Sequence, residues 1–226
     1  MTASLPLYER AKKERKIPVT SRGGAIILSD LIINKRQENI LVESIDEIVN
    51  IALKYQIAIS LGTTFRPAGI DEACDSVHIQ ETKEQIRLCH YLQKRGVNVI
   101  VENIGHIDLN SLEKHLQLLL DFKAPIMPLG PLPTDNAIGC DHIASAIGTS
   151  FLAYHKSAHI INSITPSEHS SSKITLADTL LGIRAVKLTA HCINLLNFNK
   201  YREIDSNIFH DRAKYKSCLL NEKGVL

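Results

Sequence analysis

Five apolar runs in this sequence are each followed at once by side chains that can do chemistry. In order these are Ser21 and Arg22, then Arg66, then Glu102 and His106, then Asp135 and the pair Asp141-His142, then Glu168 and His169. Two histidines and two carboxylates meeting at one face would suit a divalent metal with an open coordination position, or a general acid and base. Two arginines would suit a phosphate or a carboxylate. Each group alone also has an ordinary role. Asp141 can cap a helix, Arg66 can be half of a surface ion pair, and a lone histidine can simply be buried or exposed. His106 and His169 stand 63 residues apart, a spacing that matches no local ligand motif, so the residues alone leave these alternatives open.

The elements that must carry these groups follow from periodicity. Val97 to His106 (VNVIVENIGH) begins as a Val- and Ile-rich run with no room for a solvated face, which predicts a strand buried on both sides that stops at Glu102-Asn103-Ile104-Gly105-His106. Further strands are expected at Ile17 to Gly23, Ile57 to Leu61, Ala124 to Leu129 and Ala158 to Ile164. Between them, Ser44 to Tyr55 has helical period. Thr82 can cap a helix with Ile86, Cys89 and Leu92 inward, and Asn110-Ser111-Leu112-Glu113 has a capping-box pattern. Asp141 can cap the next helix. Thr175-Leu176-Ala177-Asp178 opens the longest one, to about Leu196, and a last helix is expected from Ser206 to Leu220. Such alternation predicts an α/β fold of about five parallel strands, either an open doubly wound sheet or part of a (β/α)8 barrel. In both, ligands bind at the C-terminal ends of the strands.

Composition narrows the class. The 226 residues, 44% apolar and 22% charged, are enough for one α/β domain over 17–226, preceded by a charged helix or arm over 1–16. Lys12, Lys13, Arg15 and Lys16 in that arm are expected on a solvated helix face. A net charge of +2 supplies no basic field for nucleic acid, so no nucleic-acid partner is expected. With no signal-type core and no run able to span a bilayer, a cytoplasmic protein without a membrane partner is expected. The five cysteines are odd in number and lack CxxC spacing, as reduced thiols would be. Cys89, Cys140 and Cys192 are expected in core packing, His191 in a structural role, and His78 and His115 in no pattern.

Taken together, seven ordered motifs resemble the phosphomethylpyrimidine synthase family. They are SRGGAI (Ser21 to Ile26), QEN (Gln37 to Asn39), SLG…RP (Ser60 to Pro67), VE..GH (Val101 to His106), LGPL.TD (Leu129 to Asp135), G.DHI.SAIG (Gly139 to Gly148) and TP.EH (Thr165 to His169). The resemblance runs from about residue 16 to about residue 215. It implies the later strands of a (β/α)8 barrel and a radical S-adenosylmethionine enzyme that rearranges aminoimidazole ribotide into hydroxymethylpyrimidine phosphate. By motif correspondence Ser21, Arg22 and Gly23 would bind the substrate phosphate, Arg66 and Glu102 its other polar groups, and His106 and His169 a Zn or Fe ion.

The chain also departs from that pattern. Thr63-Thr64-Phe65-Arg66 stands where the family has Asp-Gly-Leu-Arg, Asn103-Ile104 where it has Gly-Pro, Met127 where a tyrosine is expected, and Ile138-Gly139-Cys140 where it has Pro-Gly-Tyr. These changes make the pocket more apolar and remove polar handles. The family's C-x2-C-x4-C, which holds a [4Fe-4S] cluster, has no counterpart around Cys218. Three outcomes are therefore expected to compete. One is a synthase, or a related hydroxybenzimidazole synthase, completed by a second polypeptide. Another is a binder of a metal and a phosphorylated ligand, and the last is a remnant. Unpaired strand edges predict association with a partner or a second copy.

Overall fold

A computed structural model of the chain describes residues 1–171 and 173–214. Three of the five expected strands form: β1 (Ile59–Leu61), β2 (Val99–Asn103) and β3 (Ile126–Pro128). They make one parallel sheet in the order β1-β2-β3, with Leu61 opposite Val101 and Glu102 opposite Met127. Before β1 come helices α1 (Leu5–Glu14), α2 (Arg22–Ile33), α3 (Ile40–Glu43) and α4 (Ile45–Tyr55). Helix α5 (Ser76–Lys94) joins β1 to β2, and α6 (Leu109–Leu120) joins β2 to β3. Helices α7 (Asp141–Tyr154), α8 (Leu176–Asn197) and α9 (Asn199–Lys214) follow.

The core lies behind the sheet, where Val99, Val101 and Ile126 pack with Leu88 and Leu92 of α5, Leu112 and Leu119 of α6, and Phe122. Burial of this apolar surface is the main force holding strands to helices. The expectation that β2 is buried on both sides is corrected. Its residues alternate, and the opposite face, with Ser60, Ile100, Glu102 and Met127, stays partly or fully open.

Two expected strands do not form. At Ile17 to Gly23 the Ser21 hydroxyl accepts the Gly24 amide and caps α2, so Ser-Arg-Gly-Gly begins a helix instead of ending a strand. Only the Thr20 amide pairs across, to the Thr64 carbonyl. Ala158 to Ile164 does run beside β3, but the His159 and Ile160 amides share the Ile126 carbonyl. The Asn162 side chain, instead of a backbone amide, meets the Pro128 carbonyl, so no ladder builds.

Helix starts show the same competition among caps. Asp75 caps α5 and Asp108 caps α6, each carboxylate accepting an amide of the first turn, so the Thr82 and Asn110 assignments are corrected. Thr82 lies inside α5 with its hydroxyl on the His78 carbonyl. Asp141 is the first residue of α7, after Cys140. The Thr175/Asp178 capping box opens α8 in both directions. Helix α9 begins before Ser206, and the remainder of the expected last helix, with Cys218, lies outside the described residues.

Ala3, Leu7 and Ala11 pack with Leu28, Leu31, Phe65 and Val77, so α1 is built into the body of the fold. Lys12, Lys13 and Lys16 are solvated, but Arg15 is buried. Its Nε and one terminal nitrogen each lie 2.7 Å from Asp75, and it also donates to the Phe65 carbonyl. Among the described residues no helix is long and apolar enough to cross a membrane.

Candidate metal and anion site

The loops after the strands meet main chain to main chain. Past β2 the chain turns sharply through Ile104 (φ +85°) and Gly105 (φ +137°), with the Ile104 amide held by the Asn103 side-chain oxygen at 2.7 Å. A positive φ is costly for a β-branched residue, on the order of 1–3 kcal/mol. A Cβ on Gly105 would lie 2.7 Å from the Pro67 carbonyl oxygen, so only glycine fits there. The His106 amide donates to Pro67 (3.2 Å), the Leu132 amide to Gly105 (3.1 Å), and the Ile107 amide to Leu132 (2.9 Å).

Held in this way, His106 stands beside His169. The two rings stand edge to face with centroids 4.9 Å apart. Each Nδ1 faces a carboxylate: His106 Nδ1 lies 2.7 Å from Asp135, and His169 Nδ1 lies 3.3 Å from Asp141, which also accepts the His169 amide at 2.9 Å. An ionised carboxylate only accepts, so each Nδ1 is the donor, and a neutral ring so oriented has its lone pair on Nε2. Carboxylate-backed imidazoles with Nε2 outward are how proteins present histidine to a metal.

Thr20, Arg66, Gly105, His106, Glu168 and His169 help line one cleft of about 430 Å³. Arg66 is half-buried, donates only to the Thr63 hydroxyl at 3.3 Å, and makes no ion pair among the described residues. Burial lowers its pKa, with the charges of Glu81 and Glu102 opposing that shift. A guanidinium placed so has capacity for an anion. A larger cleft of about 580 Å³ lies between the N-terminal segment and α5, with Met1 in its lining and no histidine.

The other sequence-derived site residues gather elsewhere. Ser21 is spent as a cap, Arg22 and Gly23 are exposed at the opening turn of α2, and Glu102 accepts the Ser60 hydroxyl on the open sheet face. Met1 lies between them, its side chain against Gly23 and Gly62, and the Cβ position of Gly62 is 3.9 Å from Glu102 Oε2. Thus Arg66, His106 and His169 share one cleft, while Ser21, Arg22, Gly23 and Glu102 lie outside its lining.

Two further groups escape sequence reasoning. Glu81 is fully buried and accepts the Thr2 hydroxyl and the Thr64 and Phe65 amides, pinning the loop after β1; burial raises its pKa against those bonds. Cys74, His78 and His115 cluster behind the sheet, each offering one donor atom within 4.8 Å of the others. The Cys-x3-His spacing of the first two is the only local trace of it.

Histidines and charged groups gathered past the C-terminal ends of parallel strands, with helical crossovers behind, define an α/β protein whose candidate site lies at that end of the sheet. Comparison with known proteins gives the family: the chain belongs to the radical SAM ThiC family, whose model matches residues 3–220. It is 38% identical over 197 residues to the phosphomethylpyrimidine synthase of Thermotoga sp. (strain RQ2), covering 86% of this chain and 46% of that one. The synthase of Carboxydothermus hydrogenoformans is 38% identical over 188 residues, 82% of this chain and 43% of its own. That of Caldanaerobacter subterraneus subsp. tengcongensis is 35% identical over 214 residues, 93% and 49%. The chain therefore spans about half the length of the curated relatives it matches.

Proposed function

We propose that the chain forms the later part of a phosphomethylpyrimidine synthase barrel, acting in thiamine biosynthesis on a small phosphorylated ligand such as aminoimidazole ribotide. In this reading His106 and His169 hold a divalent metal, Zn or Fe, and Arg66 faces an anionic or polar part of the ligand. Ser21, Arg22 and Gly23 take its phosphate at the N-terminus of α2, and Glu102 takes a further polar group. The single observation that carries it is the edge-to-face histidine pair with a carboxylate on each Nδ1. Bound there, a metal would supply Lewis acidity or orient the ligand. This chain's own residues fix the imidazoles, present a cation from Arg66 and leave the cleft open at its mouth.

The family's S-adenosylmethionine and [4Fe-4S] cluster fit this chain less well. None of its five cysteines shares the C-x2-C-x4-C spacing, so the reading places the cluster, and the remaining strands of the barrel, outside these 226 residues, on a second polypeptide or on further sequence of the same protein. The half-open sheet face at Ser60, Ile100, Glu102 and Met127 supports such a completion, because a finished barrel buries that face. The family membership leaves a non-catalytic metal and phosphate binder as the second reading, resting on the same carboxylate-backed histidine pair.

Metal content tests the core of the proposal. Purified apo chain loaded with Zn(II) and desalted should retain one equivalent more than a His106→Ala/His169→Ala variant treated alike. Equal retention would remove the metal from this cleft. Anaerobic affinity purification separates the two readings. A stoichiometric partner bearing C-x2-C-x4-C supports the synthase, and recovery of the chain alone supports the binder.

A further inference from the structure

We infer that Cys74, His78 and His115 form a second, buried metal site, one that takes a borderline-soft ion such as Zn(II) and clamps α5 to α6 behind the sheet. The three donors come from separate places: Cys74 from the turn before α5 (φ +59°), His78 from its first turn, and His115 from the middle of α6. They converge without a carboxylate among them, which disfavours Mg and Ca and suits a metal that binds nitrogen and sulfur.

The hydrogen bonds show which atoms are available. His115 Nε2 lies 3.2 Å from the Asn103 side-chain oxygen. That amide cannot be turned round, because its nitrogen donates to Gln85 at 2.6 Å and its oxygen accepts the Ile104 amide. Nε2 of His115 is therefore the donor, and Nδ1 carries a lone pair. That Nδ1 is buried with no hydrogen-bond partner, in a residue only 1% exposed. A buried, unpartnered acceptor aimed into a cluster of donors is an arrangement that native proteins otherwise avoid. The Asn103 contact is the outer-shell support that a ligating histidine requires.

His78, also 1% exposed, stacks on His115 with centroids 4.2 Å apart. Its Nδ1 accepts the Cys74 amide at 3.1 Å, so its proton sits on Nε2, which likewise has no partner. The ring becomes the third ligand through Nδ1 when it gives up that amide. Cys74 is half-buried, with its sulfur 3.3 Å from the Ser111 carbonyl. As the one half-exposed donor, Cys74 is where an ion would enter, and water would complete the fourth position. Binding balances simply: Zn(II) displaces the Cys74 thiol proton, both histidines keep their single ring protons on Nε2, and one proton is released per ion. A tetrahedral ion with bonds of about 2.0–2.3 Å holds its donors about 3.5 Å apart, so the cluster contracts by about an ångström on loading.

Co(II) is the probe, added to the full chain carrying His106→Ala and His169→Ala so that the strand-end cleft contributes nothing. The expected result is one equivalent bound with thiolate-to-cobalt charge-transfer absorption, abolished when Cys74→Ser is added. The band is independent of the first site, so loss of metal at His106 and His169 with the band intact would fail the proposed function alone. No band in folded protein, or a band that survives Cys74→Ser and so arises from another thiol, would overturn the inference. Should the variants not fold, the parent chain decides. Zn(II) should slow iodoacetamide labelling of Cys74 at least tenfold while leaving exposed Cys140 unchanged, and equal labelling of Cys74 with and without metal would overturn it.

Discussion

Two histidine pairs in this protein are built in opposite ways. At the strand ends His106 and His169 meet edge to face, are partly open to water, and have a carboxylate at each Nδ1. Behind the sheet His78 and His115 stack at 21°, are sealed from water, and have a backbone amide and a carboxamide, but no carboxylate, at their ring nitrogens. Burial pushes His115 down to a pKa of about 4 and His78 well below its ordinary value. The contrast teaches that what meets the second nitrogen decides a histidine's chemistry. A carboxylate orients it for a ligand in open solution, whereas a dry environment keeps it neutral and tied to the core.

The largest expected effect separates the pairs by stability. His115→Ala should cost about 4 kcal/mol in urea unfolding, as for other buried rings. His169→Ala, whose side chain is 48% exposed, should change stability by no more than about 0.5 kcal/mol. Similar costs would erase the distinction. Next comes pH, with chelator present. The folded-state pKa of His115 lies below the unfolded value of 6.5, so the unfolded chain takes up the proton first. The stability tied to this ring is complete above pH 6.5 and is lost as pH falls toward 4, by on the order of 3 kcal/mol. Urea midpoints across that range should fall less steeply in His115→Phe than in the parent. If the two profiles run parallel, the ring is not held neutral.

A smaller effect tests the carboxylate's part. Asp135→Asn keeps an acceptor for the Ile70 amide but removes the charge behind His106, and should weaken Zn(II) at the strand-end cleft by about 10–100-fold. Stability should move by less than about 0.5 kcal/mol. Calorimetric titration of the chain carrying Cys74→Ser isolates that cleft, and an unchanged affinity would deny Asp135 its orienting role. Smallest of all, Cys140→Ser on the exposed start of α7 should alter neither the urea midpoint nor the cobalt band, since Cys140 serves neither pair.

Sequence pattern exposes some of this and hides the rest for definite reasons. Strand β2 is legible because a Val- and Ile-rich run has few other fates, and the α8 cap because Thr175 and Asp178 have the reciprocal spacing of a capping box. The position of His106 and His169 after apolar runs is likewise readable. Which residue caps a helix is less so, because Asp75 competes with Thr82, and Asp108 with Asn110, over a few residues of polar sequence. Arg15 reads as one more charge in a basic run, yet Asp75, sixty positions away, draws it inside. The Cys74 cluster is hidden in the same way, since His115 joins it only through the packing of α6 against α5. The strands at Ile17 and Ala158 fail because a run of apolar residues states a preference for burial and says nothing of whether a neighbouring chain offers hydrogen bonds in step.

The main-chain contacts among Pro67, Gly105, His106 and Leu132 bear on how this protein can change over time. The histidine is located by main-chain amides and carbonyls, so neighbouring side chains, Gly105 apart, can be exchanged without displacing it. Asn103 and Ile104, where the family pattern has Gly-Pro, fit that freedom: the side chain of one supports the turn of the other, and His106 keeps its address. Evolutionary drift around this loop can therefore reshape what the cleft accepts while its chemistry stays in place.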